Sequence, residues 1–189
     1  MHAHNARDKY AACMQHTSET NSVSTIREAH QWLRWMTNRT FTAARTLDHA
    51  ELHRKFPIGI GSVFETLLHL CGAEFIWVRV VTNRADGVTM PTTPQCPDLD
   101  AVERLWKDTR SEWDAFLNAL TPEECDRIVQ RTREGRTYSQ RVSDACIQVP
   151  THALYHNAQI SFMFRSMGKT LPDSSWIAWA RERCGSPMG

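Results

Sequence analysis

The sequence predicts an all-α fold, a bundle of four long helices with a small hairpin between the third and fourth and a short helix at the end. Three observations carry this. Apolar residues recur at helical spacing through four separate segments, capping residues stand at the expected starts, and between Cys125 and Arg141 helical spacing gives way to two extended arms.

Helix one is expected from Thr25 to about residue 48. Thr25 and Glu28 form a T-x-x-E pair, and Ile26, Ala29, Leu33, Met36, Thr40, Ala44 and Leu47 follow at helical spacing. After the break around Phe56, Pro57 and Gly59, Ser62 is a suitable cap for VFETLLHLCGAEFIWVRVV. That run is apolar on more than one face, so helix two should be largely buried. The stretch TNRADGVTMPTTPQCPDLD is rich in proline, glycine, Asp and Asn and reads as a loop. Asp98 or Asp100 then caps helix three, which runs from about Ala101 to Leu120 with Trp106 and Trp113 among its apolar positions.

RIVQRT and RTYSQRV read as two extended arms around Glu134 and Gly135. Helix four starts near Ser143 and ends at Gly168. Its stripe includes Ala145, Cys146, Val149, His152, Ala153, His156, Ile160 and Met163, and Pro150 inside it predicts a kink or a restart. Asp173 or Ser174 caps a final helix through Trp176 and Trp179. The expected organisation is a flexible segment over residues 1–22 and one helical domain over residues 23–189.

Lysine and arginine number 22 and Asp and Glu 21, so no strong field draws the chain to nucleic acid or membrane. The polar start and the lack of a long apolar run predict a cytoplasmic protein. Six cysteines scatter without a CxxC pair and read as reduced thiols, Cys71 and Cys146 as small core residues. HExxH, P-loop and GxGxxG patterns are absent, as are the Glu-x-x-His repeats of di-iron bundles.

The chemistry lies in the histidines. Nine of them in 189 residues give roughly 0.4 chance pairs at i,i+4, and the chain has two such pairs. His49 and His53 sit in a charged stretch at the expected end of helix one, where solvated rings are the plain reading. His152 and His156 occupy the apolar stripe of helix four. Two adjacent buried imidazoles need dedicated partners or a shared ion, and the spacing sets them about 40° apart and about 6 Å along the axis. His69 on helix two is a third ligand candidate, with Gly72 and Ala73 one turn later leaving room beside its ring. Gln159 is a candidate helper beside His156. Glu65 is a candidate to orient an imidazole, although a surface or helix-pair contact is the plainer role for it.

Leu67-x-His69-Leu70 with Ala73 and Trp77, followed by His152, His156, Gln159 and Gly168, resembles the metal-binding DinB/YfiT-like family. The similarity extends over about residues 25–183. Two departures stand out: Tyr155-His156-Asn157-Ala158-Gln159 replaces a His-His-Arg-Gly-Gln run, and Pro150 is unusual. The resemblance implies an up-and-down four-helix core, often dimeric, with His69, His152 and His156 as ligands to a divalent metal. Zinc or nickel is the leading candidate and iron, cobalt or manganese the alternatives. Three imidazoles leave a coordination position open, the pattern of a catalytic site. The family implies transfer of a low-molecular-weight thiol to an electrophile. A metal-dependent hydrolase and a non-enzymatic metal-binding protein linked to stress or DNA damage are the alternatives.

Overall fold

The computed structural model describes residues 4–185, with side chains from residue 22 onward. Its long helices are α1 (His4–Ala44), α3 (Val63–Val81), α4 (Leu99–Ala119) and α6 (Val142–Ser166). The short helices are α2 (His49–His53), α5 (Pro122–Asp126) and α7 (Trp176–Arg183), and strands β1 (Ile128–Arg133) and β2 (Arg136–Arg141) form the hairpin. Helix α3 packs against both α4 and α6, and α6 also packs against α1, so the expected bundle is present with α3 and α6 at its centre.

Side chains of the predicted stripes form the core. Leu33 and Met36 of α1, Phe64 and Leu67 of α3, Trp113 of α4, and Ile160, Met163 and Phe164 of α6 are buried together. Each such side chain contributes about 1.5–3 kcal/mol by leaving water. Ser62 accepts from the Glu65 backbone N–H and Asp98 from that of Ala101, so both expected caps close their helices.

The structure corrects several expectations. Thr25 and Glu28 lie inside α1, because the helix extends upstream to His4. The expected flexibility of residues 1–22 falls on a segment whose side chains, apart from Ser22, lie outside the described residues. His49 and His53 do not end helix one. They belong to α2, which Asp48 caps through a reciprocal Asp48–Glu51 capping box, a D-x-x-E signal visible in the sequence. Helix α5 was not expected; Thr121 caps it and Pro122 opens it, as proline at a first helical position should. Ser175, rather than Asp173 or Ser174, caps α7.

The expected hairpin forms around Glu134 and Gly135, with Ile128 opposite Arg141 and Arg133 opposite Arg136. Glu134 and Gly135 both have positive φ, which a two-residue type I′ turn requires. Helix α6 continues through Pro150 without restarting. Proline lacks the N–H that would bond the Cys146 carbonyl four residues earlier. That carbonyl instead accepts from His30 Nε2 of α1 at 2.9 Å. No helix among the described residues is long and apolar enough to cross a membrane.

Candidate metal centre

His69 comes from the middle of α3, His152 and His156 from successive turns of α6, and the packing of these two helices brings the three rings together. The ring centroids of His69 lie 5.3 Å from His152 and 4.7 Å from His156, and His152 and His156 are 4.4 Å apart. One nitrogen from each ring lies within 4.8 Å of the other two. His152 Nε2 and His156 Nε2 are separated by 3.0 Å. Two imidazoles on one tetrahedral zinc-sized ion stand about 3.3 Å apart, so this spacing suits a shared cation. His156 is buried, as expected, whereas His69 and His152 are only partly buried and open the cluster on one side.

Gln159 settles the orientation of one ring. Its Oε1 can only accept, so His156 Nδ1–H donates to it at 2.8 Å and leaves the Nε2 lone pair facing the other histidines. Gly59 makes room for this amide. It has φ +56°, and a Cβ there would overlap the Gln159 carboxamide. Burial lowers the proton affinity of all three rings. For His152, with help from the neighbouring His156 and His69, it falls to about 4. For His69 burial comes first, followed by His156 and the Arg133 charge, while at His156 burial is opposed by the Gln159 bond. The rings are therefore neutral near pH 7, the state in which an imidazole binds a cation.

Glu65 does not orient an imidazole. It pairs with Lys55 of the preceding loop and accepts from Ser62 Oγ, the cap of its own helix, at 2.8 Å, a surface contact. The room at Gly72 is not beside His69 either. A Cβ on Gly72 would stand 2.8 Å from Met90 Cε and 3.0 Å from Pro91 Cδ, so the gap admits the loop that follows α3. Cys71 and Cys146 are fully buried core thiols, and burial raises the pKa of each. His49 is exposed, and His53 leans on Phe64 at 4.6 Å, away from the triad set.

A second buried polar group was not anticipated. His30 Nε2–H donates to the Cys146 carbonyl, so Nδ1 is bare and accepts from Arg110 Nη1 at 3.2 Å. Arg110 also donates to Glu74 Oε2 at 3.2 Å, and Trp106 donates to Glu74 Oε1 at 3.1 Å. Burial, then the Arg110 charge, lowers the pKa of His30 to about 3. Burial raises that of Glu74, against the pull of Arg110. The group ties α3 five residues after His69 to α6 six residues before His152. Its partners are far apart in sequence; the one local signal is Glu74, a charge in the middle of a largely apolar helix.

Three neutral nitrogen donors, one of fixed tautomer, form a set that could hold a divalent ion and leave it an open position. No curated protein matches the chain. The DinB family profile matches residues 14–182, a span that contains all three histidines and all four long helices except the first turns of α1, and the chain belongs to the DinB family.

Proposed function

We propose that this protein is a divalent-metal-dependent transferase that joins a low-molecular-weight thiol to an electrophile, with His69, His152 and His156 as the ligands. The observation that carries the reading is the three-imidazole cluster with its partly exposed side. A purely structural ion calls for four protein ligands, and the described residues gather three. Zinc or nickel suits an all-imidazole set best, with iron, cobalt and manganese as weaker fits.

When bound there, a divalent ion lowers the pKa of a thiol in the open position and so supplies a thiolate nucleophile at neutral pH. The chain's own residues prepare for this. Burial keeps the imidazoles unprotonated, Gln159 holds the His156 Nδ1 proton and so aims Nε2, and Gly59 lets the amide approach. The α3–α6 packing fixes the distance between the His69 ring and the other two.

The test is thiol consumption with a generic electrophile, using the protein loaded with zinc, nickel or cobalt and a panel of small thiols. Loss of thiol above background that disappears in His152→Ala supports the transferase. Electrophile hydrolysis without thiol loss moves the assignment to a hydrolase, and neither reaction moves it to a non-enzymatic metal protein.

A homodimer is part of the same proposal. Ile147, Leu154, Tyr155 and Phe162 of α6 are exposed at spacings of seven residues or close to it, an apolar stripe suited to a second copy of the chain. Leu154→Glu should convert a dimer to a monomer in light scattering. A monomeric wild-type protein at tens of micromolar would remove this part.

A further inference from the structure

The face of the hairpin turned towards α3 carries more positive charge than the fold needs. Side chains alternate along a strand, so Val129, Arg131 and Arg133 of β1 share a face, and Arg136, opposite Arg133, joins them from β2. Val129 is the buried member and lies beside Val80 of α3. Arg131 is next, with its guanidinium 5.8 Å from the Trp77 ring. The strand then runs back along α3 towards His69. Two strand residues advance about 6.6 Å and from Trp77 to His69 the helix covers about 12 Å, so the remaining difference of about 5 Å is less than the length of an arginine side chain.

Among the described residues, no carboxylate pairs with Arg131 or Arg136. Arg131 is half-buried and has no ion pair or hydrogen bond among the described residues. Among the described residues Arg133 pairs with the adjacent Glu134 alone, both largely exposed, a contact of the kind that adds little and is easily exchanged. Like charges directly opposite in a hairpin destabilise it, yet Arg133 faces Arg136. Burial and the Arg133 charge both lower the Arg131 pKa, which marks the cost of keeping it unpaired.

We infer that Arg131 and Arg133, supported by Arg136, form an anion subsite that receives a carboxylate of the substrate whose thiol enters the three-histidine centre. This inference rests on the proposed transferase reading and narrows its substrate class to acidic thiols. Guanidinium groups match a carboxylate by paired N–H donors. Trp77 supplies a flat apolar surface under one of them.

The test compares mercaptosuccinate with uncharged 1-thioglycerol on cobalt-substituted protein, reading the sulfur-to-cobalt charge-transfer absorption. Wild type is expected to bind mercaptosuccinate at least tenfold more tightly. Arg131→Gln with Arg133→Gln should bring the two within about twofold of each other and leave thioglycerol binding unchanged. Arg104→Gln with Lys107→Gln, which removes the same two charges from α4, should keep the preference. Equal binding of both thiols by wild type, or a preference that survives in the double variant, overturns the subsite. Absence of the absorption with either thiol defeats the thiolate reading alone. The subsite is then judged by calorimetric titration of succinate: binding lost in the double variant supports it, and no binding to wild type overturns it.

Discussion

His156 shows how much one neighbour can decide. Its Nε2 faces the cluster because Gln159 Oε1 takes the Nδ1 proton, and Gln159 fits because residue 59 has no Cβ. Removing such a supporting partner usually costs about 10–100-fold in metal affinity, so Gln159→Ala should weaken zinc binding by that factor in a chelator competition. Gly59→Ala should also weaken it, by displacing the amide, and should lower stability by about 1 kcal/mol or more because its φ is positive. Unchanged affinity in both variants would separate Gln159 from the metal centre. His152 and His156 were legible from their spacing on an apolar stripe, Gln159 from its place one turn after His156, and His69 from the family resemblance. Gly59 was not, since its importance comes from a side chain 100 residues away, and for Glu65 the plainer of its two expected roles holds, a surface contact with Lys55 and Ser62.

Among the elements, α6 departs furthest from a plain helix. Pro150 predicts a break, yet the helix continues because α1 provides the missing donor: His30 bonds the Cys146 carbonyl that proline leaves unserved. A sequence reading sees Pro150 but not the histidine 120 residues earlier that compensates it. His30→Leu should therefore cost about 1–3 kcal/mol, the penalty of an unsatisfied buried carbonyl and a half-paired Arg110. Restoring the backbone donor with Pro150→Ala in the same chain should recover part of that loss. Denaturant melts of the two single variants and the double variant give the coupling, and strictly additive effects would refute the compensation. The hairpin was legible as an element, through Glu134 and Gly135 at its turn, whereas the direction of its arginines emerged only from its packing beside α3.

At the scale of the whole molecule, four buried or partly buried histidines couple stability to pH. The pKa of His30 falls to about 3 and that of His152 to about 4, and those of His69 and His156 fall as well. Unfolded histidines titrate near 6.5, so on acidification the unfolded chain takes up protons that the folded chain refuses. Stability from these groups is present above about pH 6.5 and is lost as pH falls towards the folded values. Metal-free protein should melt at lower temperature at pH 5.0 than at pH 7.5, and His30→Gln should flatten the slope. A melting temperature that rises on acidification would contradict this. The four-helix plan was legible because amphipathic spacing is local. The long-range His30–Arg110–Glu74 group was hidden because only the finished packing unites α1, α3, α4 and α6.

The most direct measurement is the metal-to-protein ratio after loading and gel filtration, by elemental analysis of wild type and of the His69→Ala, His152→Ala and His156→Ala variants. One tightly held divalent ion per chain in wild type, and far less than one in each variant, is the predicted result. A wild-type chain that retains no ion, or variants that retain as much as wild type, would contradict it.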